Sequence, residues 1–291
     1  MDDIECEVVE TKSLCVDKVI LAIGRVPNVG SLQLDKANVK MNDRGTLEVD
    51  EHLRSVTSPH IYAAGDALGK WGLVAVAEME GRHAVERMFG TKNPATKLEY
   101  KHISSVMFVR PGNNILIPFI CIAMKSIIKI EIACVGMNEQ EAIARRLCYK
   151  SGFLRFGLIN RAVIDWSERH SGPIEPKRAG FIKMICTDDE EKILLGMRAV
   201  GVDASSVIGS GALLIRRGES IRELEKTAHP HPSIIESVQE CARLLLGRSL
   251  YKPHVWPKTH VKHYSPEKGS ALAQELLPKR LRQMIPGYME A

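Results

Sequence analysis

Beyond Ile103 the apolar residues fall into short period-two runs separated by stretches of helical spacing, and this alternation of blocks constrains the fold most. Strands are predicted at Ser104–Val109, Ile132–Val135, Phe181–Cys186 and Ile193–Val200, and helices at Glu139–Leu147, Ala204–Ile215 and Ile234–Leu245. Asn138 precedes the first helix as an N-cap, and that helix carries acids early and Arg145 and Arg146 late, matching its dipole. Such blocks fit an α+β domain better than a doubly wound sheet. Its borders are expected near residues 100 and 250.

The preceding stretch reads differently. Short strands are expected at Cys6–Val9 and Val16–Ala22, the latter ending in the turn Gly24-Arg25-Val26-Pro27-Asn28. A further strand-turn unit follows at Leu47–Val49. Next comes an apolar strand, His60-Ile61-Tyr62-Ala63-Ala64-Gly65-Asp66, closing on small residues and one acid. Gly72–Phe89 is expected to be a helix whose alanines (Ala75, Ala77, Ala84) admit close packing.

Composition narrows the function. With 45% hydrophobic and 26% charged residues the chain can build real cores, which excludes a wholly disordered protein. The net charge is +5, of which residues 251–291 hold +4, seven Lys/Arg against three acids. With five prolines, that tail is expected to be a solvated, extended appendage, and nucleic-acid binding is given little weight. None of the seven cysteines forms a CxxC or CxxxxC pair, and no histidine cluster completes a zinc spacing. Core-filling free thiols are the expected reading, with no metal site. The run Ile115–Met124 contains Pro118 and is about half the length needed to cross a bilayer. The opening MDDIECEVVE is neither a signal nor an Arg-rich transit peptide, which leaves the compartment open.

Two places carry candidate chemistry. A strand ending in Ala64-Gly65-Asp66 lets a ligand approach the backbone, and its carboxylate can accept hydrogen bonds from sugar-type hydroxyls. The helix after Gly72 offers free amides and a positive dipole end to an electron-rich group. Alone, these are features of an ordinary strand exit. In Ala228-His229-Pro230-His231-Pro232-Ser233-Ile234-Ile235-Glu236, a histidine stands five residues before a glutamate at a helix start. A carboxylate on one ring nitrogen fixes an imidazole's tautomer and favours its charged form, as a general acid–base needs. Without context, a His-rich surface turn is the simpler account.

The order of the motifs supplies that context. Val19-Ile20-Leu21-Ala22-Ile23-Gly24-Arg25-Val26-Pro27-Asn28, then Thr57-Ser58-Pro59-His60-Ile61-Tyr62-Ala63-Ala64-Gly65-Asp66, then the His231–Glu236 segment resemble three ordered signatures of the pyridine nucleotide–disulfide oxidoreductases. The last resembles the His-x-His-Pro-Thr-x-x-Glu stretch of the dihydrolipoamide dehydrogenase branch, with Ser233 in place of Thr. Cys241 is the last cysteine, which argues against the mercuric reductase branch. The resemblance implies FAD and NAD as cofactors. It places Asp66 on the ribityl chain, beside Gly65, the residues Leu73, Val74 and Ala75 at the pyrimidine edge, and Gly24 near the nicotinamide dinucleotide. It implies that His231 exchanges a proton with the substrate thiol and that Glu236 orients it. It further implies a homodimer through residues near 100–250, in which the histidine of one subunit serves the flavin and disulfide of the other, and a lipoyl-bearing protein as a candidate partner.

The implied organisation is a remnant of the NAD-binding domain over 1–28, the last part of the FAD-binding domain over 29–99, a dimerisation domain over 100–250 and the basic tail over 251–291. The sequence holds neither a GxGxxG phosphate loop nor a CxxxxC redox pair. A C-terminal part, inactive alone, is therefore the leading expectation. A non-enzymatic module that pairs with full-length subunits is the second, a glutathione reductase- or transhydrogenase-type relative remains open, and a basic-tail binding protein ranks last. Residues 112–130 interrupt a stretch resembling the family's Phe-Thr-x-Pro-Glu-x-Ala-x-Val-Gly pattern. They are expected to be an insertion, with retained intron sequence as one hypothesis; transcripts that consistently include these codons would remove it.

Overall fold

The computed structural model describes residues 13, 15–90, 97–109, 130–169, 180–249 and 259–272. The chain divides into two compact units, residues 1–98 and 99–291.

Among its described residues the first unit is built from turns, two short 3-10 segments and one α-helix. Isolated antiparallel bridges join Met41 to Leu47, Val49 to Ser55 and Arg54 to Tyr62. A 3-10 turn at Gly65–Leu68 then leads to α1, Val74–Phe89. Gly72 has φ +62°, a left-handed conformation no helix can include, so α1 begins two residues later than its apolar pattern suggests. Val76, Glu80, His83 and Ala84 recur at helical spacing on its buried face, and Val39, Leu47, Leu53 and Leu68 are the same unit's other buried apolar residues among those described.

The expected strand Val16–Ala22 does not form. Its backbone pairs with nothing among the described residues, and Val19, Ile20, Leu21 and Ile23 are three-quarters exposed or more. A strand is stabilised by its ladder, and an apolar run without a neighbouring strand has none. Cys6–Val9 lies outside the described residues. Leu47–Val49 and His60–Asp66 contribute single bridges rather than strands.

The second unit is one seven-stranded sheet, antiparallel at every pairing and backed by helices. The strands are β1 (Ser104–Val109), β2 (Ile130–Gly136), β3 (Tyr149–Arg155), β4 (Gly180–Thr187), β5 (Leu194–Gly201), β6 (Thr259–Ser265) and β7 (Gly269–Leu272). Their spatial order is β1-β2-β5-β4-β3-β6-β7. The helices are α2 (Glu139–Ala144), α3 (Asn160–Arg169), α4 (Ala204–Arg217), α5 (Arg222–Lys226) and α6 (Glu236–Leu245). α4 packs on β2 and β5, and α6 on β3 and β4. Between them and the sheet lies the main core, with Leu154, Ile182, Met184, Met197, Val207 and Val238 fully buried. A smaller cluster of Ala142, Tyr149 and Ile185 lies on the other side of the sheet, since adjacent residues of a strand face opposite ways.

Three details differ from the sequence reading. Ile130, expected within the insertion, is the first residue of β2 and pairs with Val109, so 110–129 connects two neighbouring antiparallel strands. Residues 112–129 themselves lie outside the described residues. The segment 149–155 is a strand that Gly152 concealed from the period-two pattern. The stretch 259–272, expected in an extended tail, is a strand pair on the edge of β3. Val261 is buried there, and His263 Nδ1 lies 3.0 Å from Asp188 Oδ2.

α2 begins with the capping box its sequence encodes. The Glu141 amide donates to Asn138 Oδ1 at 2.8 Å, and the Asn138 amide donates back to Glu141 Oε2 at 2.8 Å. Asn138→Ala should cost about 1 kcal/mol, read as a lower urea midpoint at unchanged slope. Of the described cysteines, Cys186 and Cys241 fill the core as expected, and burial pushes the Cys186 thiol up to about 12.

Candidate functional site

The loop between α5 and α6 assembles the acid–base pair. Glu236 is the first residue of α6, and its carboxylate reaches back over the preceding turn. Oε2 accepts the Ser233 amide at 2.9 Å, while Oε1 lies 2.8 Å from His231 Nδ1. With Nδ1 engaged, Nε2 is the ring nitrogen left to face outward, and the His231 side chain is 62% exposed. An imidazole oriented by a carboxylate and open on its other nitrogen can accept and return a proton. Beneath the loop, a cavity of about 390 Å³ is lined by Arg161, Asp203, Ser206 and residues 232–235.

Burial alone would raise the Glu236 carboxyl. The Ser233 amide and the His231 hydrogen bond, with the two neighbouring imidazoles, outweigh it and hold the group below its ordinary 4.5. A depressed carboxyl contributes stability above its unfolded value, and that contribution is lost as pH falls through the folded value. The loop should therefore loosen only below the usual glutamate range, seen as loss of the Ser233 amide's hydrogen-bonded shift in an acid NMR titration. His229 differs from His231: burial pushes its imidazole down despite the charge of Glu236, and its Nε2 is buried with no hydrogen-bond partner among the described residues. The segment thus sets one open and one half-buried imidazole beside a single carboxylate.

The second candidate lies in the first unit. Asp66 sits in the 3-10 turn with its carboxylate exposed, 3.6 Å from Arg25 Nη1. Gly65 has φ +70°, and a Cβ there would stand 2.8 Å from the Ala77 Cβ of α1. Only glycine lets this turn lie so close to the helix. α1 starts after Leu73 with no side-chain cap and no acid in its first turn, so the amides at Val74 and Ala75 meet no competing anion from the helix's own first turn. Gly65, Asp66 and the Leu73–Ala75 helix start are thus gathered within one unit. At Gly24 nothing among the described residues stands within 4 Å of where a Cβ would be.

The sequence reading missed Glu80. Its carboxylate is only 1% exposed and accepts the Gly65 amide at 2.6 Å. The signal was available: spacings of four, three and one put Val76, Glu80, His83 and Ala84 on one helical face, so an acid stands at a core position.

Sheet, helices and the sequence of the two segments define a class. Residues 2–81 match the pyridine nucleotide-disulphide oxidoreductase family and residues 122–242 match that family's dimerisation domain, together more than half of the chain. The chain belongs to the pyridine nucleotide-disulphide oxidoreductases, a family of FAD-dependent flavoproteins, and is dihydrolipoyl dehydrogenase-like. It is 33% identical to dihydrolipoyl dehydrogenase of Chlamydia pneumoniae, over 81% of this chain and 44% of that protein. With dihydrolipoyl dehydrogenase of Staphylococcus aureus it shares 30% identity, over 83% of this chain and 44% of that one. Among solved structures, LpdA of Mycobacterium tuberculosis superposes with a TM-score of 0.60 at 26% identity, covering 76% of this chain and 41% of that one. The HOCl-induced flavoprotein disulfide reductase RclA of Escherichia coli, in its Cu(II) complex, superposes with a TM-score of 0.63 at 22% identity, covering 81% and 46%, a likeness of fold alone. The chain spans less than half the length of the relatives it matches. β1 and the β6–β7 pair lie outside the matched dimerisation segment. Among the described residues, no helix is long and apolar enough to cross a membrane.

Proposed function

We propose that this chain supplies the proton-transfer half of a dithiol/disulfide oxidoreductase of the dihydrolipoamide dehydrogenase kind. In this reading His231 takes the thiol proton of a dihydrolipoyl group and Glu236 holds the ring in place. The observation that carries it is the 2.8 Å contact between His231 Nδ1 and Glu236 Oε1, with the ring's other edge in solvent. A histidine serving only a core would be enclosed.

FAD fits the first unit in part. The exposed Asp66 carboxylate suits ribityl hydroxyls, and the uncapped start of α1, with its free N–H donors, suits an electron-rich, hydrogen-bond-accepting ring edge of the kind flavin presents. When bound, flavin supplies two-electron exchange between the dithiol–disulfide couple and a nicotinamide. The chain's own residues then bind and orient: Asp66 holds hydroxyls, the first amides of α1 face the ring edge, and His231 holds or returns a proton at Nε2. The sequence contains no glycine-rich loop for a pyrophosphate and no CxxxxC pair. Turnover therefore draws those parts from a segment or subunit that carries them, and the chain by itself is inactive. Pairing through the dimerisation fold would bring His231 to a partner's disulfide.

Co-expression with a flavin-bearing dihydrolipoyl dehydrogenase subunit tests this. The expected result is a yellow heterodimer that reduces NAD+ with dihydrolipoamide, against a colourless, inactive preparation of the chain alone. A chain that never enters such a dimer would remove the reading.

A further inference from the structure

We propose that Glu80 is a positioning residue that clamps the Gly65–Asp66 turn onto α1 and so sets the Asp66 carboxylate relative to the helix start. The inference rests on the reading of Asp66 as a ribityl-binding group, and adds a residue to which the sequence motifs assign no role.

The geometry is specific. Glu80 lies on α1 one turn beyond Ala77, so both face the same side of the helix. Ala77 receives Gly65 from below: the missing side chain of Gly65 is what allows the 2.8 Å approach. Glu80 then accepts the Gly65 amide at 2.6 Å, within the range of a charge-assisted hydrogen bond. The turn is thus fixed at two points, one by shape and one by polarity, immediately before the residue whose carboxylate projects outward.

A carboxylate at 1% exposure costs free energy unless it is well bonded, and an apolar residue would fill a core position more favourably. Its placement under this turn, rather than elsewhere on the apolar face, gives the burial a purpose. α1 carries both contacts at issue, the amides at Val74–Ala75 and the anchor for Asp66, and Glu80 couples them within one rigid element.

Two variants of the full chain separate reach from charge. E80Q keeps an oxygen at the same distance from the Gly65 amide, whereas E80D keeps the charge but withdraws it by one methylene. Hydrogen exchange of the Gly65 amide, followed by NMR without any flavin, should accelerate by about tenfold or more in E80D and stay within about threefold of the parent in E80Q. FAD titration, read by flavin fluorescence with D66A as the reference, should show weakening in E80D and recovery in E80Q. Equal exchange at Gly65 in E80D and parent would overturn the clamp, as would an acceleration spread evenly over Val39, Leu47 and Leu53. If D66A leaves the affinity for added FAD unchanged, the ribityl reading of Asp66 fails, while the exchange data decide the role of Glu80 in either case.

Discussion

Replacing His231 with glutamine lowers dihydrolipoamide-dependent NAD+ reduction by about 10²–10⁴-fold in a preparation where this chain is paired with a flavin- and disulfide-bearing subunit. Glutamine keeps the bulk and polarity of the side chain and removes only its capacity to take up a proton. Exposure of the ring keeps the cost to stability small, about that of the one hydrogen bond to Glu236, on the order of 1 kcal/mol. Glu236→Gln should cost less, about 10–100-fold, because it removes one charge-assisted contact while leaving the imidazole in place. Steady-state rates at saturating NAD+ separate the two. If both variants retain full rate, the pair is a surface ornament of the loop.

The largest effect on folding is expected at Val238, which is fully buried on the face of α6 that meets the sheet. Val238→Asp places a carboxylate on the buried face that Cys241, Ala242 and Leu245 share, and an uncompensated buried charge costs on the order of 3–5 kcal/mol. A domain's whole stability is about 5–15 kcal/mol, so this loss is a large share of it and the urea midpoint of the second unit should fall steeply. The consequence reaches the site, because α6 carries Glu236 at its first residue. Gly152 of β3 lies directly beneath, where a Cβ would stand 2.8 Å from Leu245 Cγ, so the helix has no space into which to retreat. Near-UV circular dichroism and urea titration should show the loss, and a cooperative transition at the parent's midpoint would contradict it.

What could be read from the sequence follows from which interactions are local. β1, β4 and β5 and helices α1, α2 and α4 were legible because each pairs a periodic apolar face with punctuation of its own, such as Asn138 before α2. Val16–Ala22 was misread for the opposite reason: its alternation predicts a strand, but whether a strand exists depends on a neighbour that periodicity does not name. β6 was hidden by its own residues. In Thr259-His260-Val261-Lys262-His263-Tyr264-Ser265 the buried positions are Thr259 and Val261, only one of them apolar, and the strand is held by partners distant in sequence, His263 to Asp188 and the His260 ring stacked 4.7 Å from that of Phe153.

The site divides in the same way. His231 and Glu236 are five residues apart across a turn into a helix, so their meeting is a local property and the motif foretold it. Gly65 and Asp66 were legible as a strand exit, but the depth of their seat was not, because Ala77 and Glu80 come from the following helix. Gly24 was assigned by resemblance alone, and no neighbour among the described residues stands within 4 Å of where its Cβ would be. Local geometry was thus legible where it is made by neighbours in sequence.

Complementation in trans tests the proton-transfer role of His231 most directly. The chain is paired with a dihydrolipoyl dehydrogenase subunit whose own acid–base histidine has been replaced, and dihydrolipoamide-dependent NADH formation is recorded for the purified heterodimer. Restored turnover that vanishes with the His231→Gln chain is the predicted result. A stable heterodimer that stays inactive with the unaltered chain would contradict it.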